Sequence, residues 1–285
     1  MVEAMPSDLR TDPWLGTRVH VVGSRQGRPN LLSGQCPFCP GGVEAPEPYR
    51  VRWFPNRWPP MEGHRCEVVV YSPRHDDSLS GLDDESMDAV VDLWTERTAA
   101  LGSRDDVATV LIFENHGREV GATIDHPHGQ IYAFDHVPER TRLRLRANWN
   151  PESADVLVVD ERDGWRTFVP SAPVHPVSLQ VAPVERLSDL PAMNVGERAA
   201  LGRALRRARR RIEALFGDSV PTMSWINQRP FDNTFHDAWF NVEIVSPWRS
   251  SGVQRYIAAA EVATGEYFNP VVPEELAERL RAVAP

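Results

Sequence analysis

Hydrophobic periodicity divides the 285-residue chain into short strands and two long helices. Apolar runs bounded by turn residues predict buried strands at 67–71 (EVVVY), 107–113 (VATVLIF) and 130–134 (QIYAF). Between the first two, Met87, Val90, Val91, Trp94 and Thr98 recur near helical spacing and predict a helix over 84–101. A second helix is predicted over 196–216, where Leu201, Leu205, Ala208, Ile212 and Leu215 form one apolar stripe. Its remaining surface carries Arg203, Arg206, Arg207, Arg209, Arg210 and Arg211, which read as a solvated face. The first 50 residues, rich in Pro and Gly, read as loop with short strands.

The pattern then repeats. Trp53-Phe54, a strand, Ser72-Pro73, Leu79 and Leu82 are answered by Trp165, Phe168, a strand, Ala182-Pro183, Leu187 and Leu190. Each set leads into one of the long helices. Phe113-Glu114-Asn115 and Trp225-Ile226-Asn227 follow, offset by the same interval (225 − 113 = 227 − 115 = 112). A unit of about 110 residues present twice predicts an α+β fold in which two half-sheets join into one larger, mostly antiparallel sheet with helices packed on it. The halves are placed at 1–150 and 151–285.

Composition narrows the function classes. The 41% hydrophobic content is that of a globular chain. No run of apolar residues is long enough to cross a membrane, and the first ten residues do not read as a signal peptide, so a cytoplasmic protein without a membrane partner is expected. Forty acidic against 31 basic residues leave a net charge of −9, which argues against nucleic acid as a partner. All basic residues are Arg. Lysine Schiff-base chemistry and a P-loop lysine are therefore excluded, and any phosphate must be held by Arg, backbone N–H groups or metal.

The chemistry concentrates in the first half. His126-Pro127-His128-Gly129-Gln130 leads into a strand, whereas the equivalent stretch of the second half, 238–243, has no histidine. Two histidines two apart in extended chain face the same side, unless Pro127 between them bends the chain. Imidazole is a competent nucleophile towards phosphorus, provided its second ring nitrogen is hydrogen-bonded so that the free lone pair faces the substrate. Gly129 admits close backbone approach, and the Gln130 amide can donate to a phosphoryl oxygen. Cys36-Pro37-Phe38-Cys39 taken alone leaves zinc binding, redox chemistry and no role all open.

Phe113-Glu114-Asn115-His116-Gly117, Gly121 and His126-Pro127-His128-Gly129-Gln130-Ile131-Tyr132-Ala133 resemble the galactose-1-phosphate uridylyltransferase family, the nucleotidyltransferase branch of the histidine-triad superfamily. Asp12-Pro13-Trp14-Leu15-Gly16, Phe54-Pro55-Asn56-Arg57 and Tyr71-Ser72-Pro73-Arg74-His75 fall in the family's order. The resemblance implies that His128 attacks the α-phosphorus of UDP-glucose, and that the uridylyl-histidine is discharged by galactose 1-phosphate in a ping-pong cycle. It implies that Gln130 and Thr123 hold phosphoryl oxygens. Phe54, Asn56, Phe113 and Asn115 match the uridine site, and Arg25 and Arg28 match arginines that approach the phosphates, often from a partner subunit. Cys36, Cys39, His75 and His126 match a structural zinc site, and a homodimer is implied. The family's second metal site, where present, uses histidines of the second half; here those positions read Asn227, Asn241 and Glu243, and no such site is expected. The acceptor-binding segment survives as Arg255, Tyr256 and Glu261 around a bland stretch. That divergence motivates an alternative: a sister enzyme with a changed nucleotide or sugar 1-phosphate, as a GDP- or ADP-sugar transferase or a phosphorylase. A nucleotide-binding module without turnover is disfavoured by the presence of both His128 and Gln130.

Overall fold

The computed structural model describes residues 8–28, 34–151, 157–217 and 219–283. An N-terminal hairpin, β1 (Asp8–Thr11) and β2 (Arg18–Val21), stands apart from the main sheet. The first half supplies β3 (Arg52–Pro55), β4 (Cys66–Val70), α1 (Asp84–Gly102), β5 (Thr109–His116), β6 (His128–Phe134) and α2 (Glu139–Arg146). The second supplies β7 (Leu157–Arg162), β8 (Trp165–Val169), β9 (Val177–Pro183), α3 (Val195–Phe216), β10 (Thr222–Asn227) and β11 (Asn241–Ser246), then α4 (Ala259–Thr264) and α5 (Pro273–Ala282).

Nine strands form one antiparallel sheet in the order β3-β4-β6-β5-β10-β11-β9-β8-β7. The order reads as a palindrome about the β5–β10 seam, with β7 added at one edge. At that seam Phe113 pairs directly with Trp225. These are the two residues the repeat makes equivalent, and equivalent residues facing each other across antiparallel strands are what a local two-fold requires. One cross-strand row then runs through both halves: Phe54, Val68, Gln130 and Phe113 on one side, Trp225, Glu243, Gln180 and Phe168 on the other. Gln130 is thereby matched by Glu243, and His128 by Asn241.

Both long helices begin on side-chain caps. Asp83 accepts from the Ser86 N–H, and Asn194 and Glu197 form a capping box. Their apolar stripes meet the sheet: Met87, Val90, Val91 and Trp94 of α1, with Leu201, Leu205, Ala208 and Ile212 of α3, are buried with Val69, Ile112, Ile131, Leu179 and Ile244. The helices also pack against each other at Gly202, where a Cβ would stand 2.9 Å from Met87 Cγ.

The arginine face of α3 departs from expectation. Arg209 and Arg211 are buried, because α5 and the sheet cover both flanks of the stripe. Arg209 pairs with Glu114 and Thr222. Arg211 donates to the carbonyls of Leu280 and Val283 at 2.8 Å, and Arg207 to Asp160 at 2.9 Å. Buried guanidinium groups persist only when partnered in this way.

Candidate active site

Strand β6 begins two residues before the predicted apolar run, so the histidine motif itself enters the sheet. His128 and Gln130, at i and i+2, project from the same face. Gly129 between them faces the helix side, where a Cβ would stand 2.0 Å from Tyr71 Oη and 2.9 Å from the Phe113 carbonyl oxygen. Only glycine fits there.

His128 Nδ1–H donates to the carbonyl of His126 at 2.8 Å, leaving the Nε2 lone pair unprotonated and free. Burial pushes the His128 pKa down, and the bond to the His126 carbonyl opposes that only in part. The ring is thus a neutral base near pH 7. It borders a cavity of about 280 Å³ lined by Arg28, Phe38, Phe54, Asn56, His128 and Gln130 among others. The Phe38 ring lies 5.1 Å from the His128 ring and 5.5 Å from Phe54, giving this cavity an aromatic wall. A second cavity of about 260 Å³, which Asn115 helps to line, also touches His128. Arg28 donates to Thr123 Oγ1 at 3.4 Å and Phe113 packs edge-on against Tyr132 at 4.8 Å, while burial pushes the Tyr132 pKa up against a smaller downward pull from the Arg25 charge.

Cys36, Cys39, His75 and His126 converge so that their four ligand atoms lie within 4.8 Å of one another. His126 Nδ1 is 3.8 Å from Cys36 Sγ and 3.6 Å from Cys39 Sγ, and His75 Nδ1 is 3.7 Å from Cys39 Sγ. On the far side of its ring, His126 Nε2–H donates to the Ser72 carbonyl at 2.7 Å, which turns a bare Nδ1 towards the cluster. Burial and the neighbouring Cys36 push the Cys39 thiol pKa up, a conflict that a bound cation relieves. The cluster could hold a metal ion.

The remaining expected residues lie elsewhere. Arg255 is bonded to Glu261 and to the carbonyls of Val174 and Phe268, and Glu261 also accepts the N–H groups of Ala258 and Phe268. Tyr256 is 73% exposed. Within one chain, none of the three is among the residues lining either cavity at His128.

The mirror position in the second half is filled. Glu243 Oε1 accepts from Asn227 Nδ2 at 2.9 Å and from Arg144 at 3.1 Å. Arg144 also donates to Gln180 Oε1 at 3.3 Å and stacks on Trp149 at 4.0 Å. Asn227 Nδ2 reaches Asn241 Oδ1 at 2.8 Å. Burial draws the Arg144 pKa down to about 10 against the pull of Glu243, so the group remains cationic at neutral pH.

Sequence reasoning missed Phe38, Tyr132 and Arg144. Tyr132 had a signal, since positions 128, 130 and 132 share one face of a strand. Phe38 sits inside the Cys36–Cys39 pair and goes wherever a metal site would carry it. Arg144 had none.

A family profile described as "Galactose-1-phosphate uridyl transferase, N-terminal domain" matches residues 57–138. A solved structure of a uridylyltransferase superposes with a TM-score of 0.86 at 28% identity, covering 96% of this chain and 97% of that one. The galactose-1-phosphate uridylyltransferase of Thermotoga maritima is 32% identical, covering 96% of this chain and 98% of the relative. An ADP-glucose phosphorylase of Arabidopsis thaliana is 24% identical over 99% of this chain and 95% of its own length. Fold and likeness together make this an enzyme of the nucleotidyltransferase class, on one sheet built from two matching half-sheets. More narrowly, the chain belongs to the galactose-1-phosphate uridylyltransferase family.

Proposed function

We propose that the protein moves a UMP group from UDP-glucose to galactose 1-phosphate by a ping-pong reaction at His128. The observation that carries this reading is the His128 ring itself: Nδ1–H is held by the His126 carbonyl, and Nε2 is bare beside Gln130 at a nucleoside-sized cavity. In the first half-reaction a bond forms between Nε2 and the α-phosphorus, and the bond from that phosphorus to the bridging oxygen breaks, releasing glucose 1-phosphate. In the second, a phosphate oxygen of galactose 1-phosphate attacks, the P–N bond breaks, and the lone pair returns to Nε2. The Gln130 amide and Arg28 would steady the phosphoryl oxygens as charge builds there, with Thr123 beside Arg28. Phe54, Phe113, Asn56 and Asn115 would hold the nucleoside.

We read the Cys36, Cys39, His75 and His126 cluster as a structural zinc site. Tetrahedral zinc with nitrogen at about 2.0 Å and sulfur at about 2.3 Å sets nitrogen–sulfur edges of about 3.5 Å, close to three nitrogen–sulfur spacings here, of 3.6–3.8 Å. The Ser72 carbonyl supplies the outer hydrogen bond that fixes a metal-bound imidazole. The ion would tie the 36–39 loop, and with it Phe38, to the start of β6. A homodimer is part of the same reading, supported by the exposed Tyr256, Val262 and Phe268 beside the acceptor segment. So are the 150/151 boundary between halves and a cytoplasmic location; no described helix is long and apolar enough to cross a membrane.

A second reading rests on one specific observation. Arg255 and Glu261 are bonded to each other, so a different nucleotide, or phosphate as acceptor, would need neither. The ADP-glucose phosphorylase relative supports this alternative. Intact mass after brief mixing with UDP-glucose or ADP-glucose separates the two. A uridylyl adduct discharged by galactose 1-phosphate upholds the first, and an adenylyl adduct discharged by inorganic phosphate upholds the second. No adduct with either donor refutes the first reading and the adenylyl form of the second.

A further inference from the structure

Gln130 is useful to a phosphoryl group only if its NH2 end faces it, because the carbonyl end would repel the oxygens. An amide carries no preference of its own between the two orientations, which differ by a half-turn of nearly identical shape. Here a chain of bonds decides the matter, and it starts from a donor whose polarity is beyond doubt. The backbone N–H of Trp58 donates to the Asn56 side chain at 2.8 Å, so that atom must be Oδ1. The opposite end of the Asn56 amide is then Nδ2, a donor, and it reaches Gln130 at 3.2 Å. The Gln130 atom it meets must accept, and is therefore Oε1.

A second donor agrees independently. The Tyr132 hydroxyl lies 3.3 Å from the same Gln130 oxygen. Burial pushes the Tyr132 pKa up, keeping the phenol hydrogen in place. With Oε1 held by two donors, Gln130 Nε2 points away from both. The main chain at Asn56 is itself pinned, its N–H donating to the Cys66 carbonyl at 2.8 Å across the β3–β4 pair.

We propose that Asn56 and Tyr132 are positioning residues that lock the Gln130 amide with its NH2 towards the phosphoryl oxygens. The proposal rests on the role given to Gln130 above. It gives Asn56 a second task besides contacting the nucleoside, and gives Tyr132 a place in the same chain.

Asn56→Asp tests the lock. An aspartate keeps the oxygen that accepts from Trp58 but presents a second acceptor to Gln130, so the amide must turn over and aim its carbonyl at the phosphate. The readout is the single-turnover rate of nucleotidyl-enzyme formation at saturating UDP-glucose, measured for Asn56→Asp, Gln130→Ala and the double variant, with melting temperature alongside. Loss of an oriented donor is worth about a hundredfold in rate. The expected result is a fall of that order in Asn56→Asp and in Gln130→Ala, with less than about a threefold further fall in the double variant. Tyr132→Phe, which keeps the ring against Phe113, should lower the same rate by about threefold to tenfold while leaving UMP affinity unchanged. If the Asn56→Asp effect is as large without Gln130 as with it, Asn56 acts on the substrate alone and the proposal is overturned. Should Asn56→Asp fail to fold, the Tyr132→Phe and Gln130→Ala cycle decides by the same criterion. Failure of the underlying reading looks different: the unaltered protein then forms no adduct at all.

Discussion

The two halves share a sheet, a helix and a residue row, yet the matching positions face different surroundings. In the first half, Gln130 and His128 look into about 280 Å³ of open space. In the second, Glu243 and Asn241 occupy the matching positions, and the Arg144 guanidinium stands in front of Glu243. The intruder comes from the other half: α2 leaves the end of β6 and lays Arg144 across the second half-sheet. A duplicated fold conserves its backbone pairing because the seam and core demand it. Chemistry is under no such demand, and a site can be retired by filling it with a side chain the protein already owns.

The largest effect should come from His128→Ala, which removes the attacking nitrogen. Transfer should fall by about 10⁴-fold or more, with little change in melting temperature; measurable label exchange between sugar 1-phosphate and nucleotide sugar would refute the assignment. The converse substitution, Asn241→His, should create nothing. Arg144 still blocks the mirror position, so adduct mass should remain at one nucleotidyl unit per chain, and a second unit would break the contrast between halves.

Arg144→Met should cost about 1.5–3 kcal/mol of stability in urea unfolding, because it removes a charge-assisted bond from Glu243, which keeps Asn227 and the exposed Arg140. Arg144→Met combined with Glu243→Gln should recover most of that loss, and an unrecovered loss would mean that α2 packing rather than charge pairing fills the site. Chelator treatment or Cys36→Ser should lower the melting temperature and slow nucleotidyl-enzyme formation by about 10- to 100-fold, since the His126 carbonyl that orients His128 moves with the cluster. No change in either would detach the cluster from the active half. The smallest effects concern what the halves still share. Asp83→Ala and Asn194→Ala remove equivalent helix caps and should each cost about 1 kcal/mol.

Much of this was legible before any coordinates. The 112-residue offset between Phe113 and Trp225 reveals the repeat and the joined half-sheets, while the meeting of these two residues at the seam comes from the strand order alone. The apolar stripes of both helices, and His128 and Gln130 on one face, follow from periodicity alone. The polar partnerships did not. Arg209 and Arg211 sit among arginines that look alike in sequence, and only the arrival of α5 and Glu114 divides buried from exposed. Arg144 meets Glu243 across 99 residues, and Asn56 meets Gln130 across 74. Periodicity reports which face a side chain leaves from; it carries no record of which distant group will be waiting.

The β5–β10 seam also has a consequence for the growing chain. On the ribosome, β5 emerges with one edge unpaired, and its partner β10 lies 106 residues further on (222 − 116). At about 5–20 residues per second that edge stays open for about 5–20 s. The strand left waiting carries Val110, Leu111, Ile112 and Phe113, an aggregation-prone run next to an unsatisfied backbone edge. Slowed synthesis between the halves should therefore lower the yield of native protein more than the same pause placed after β10.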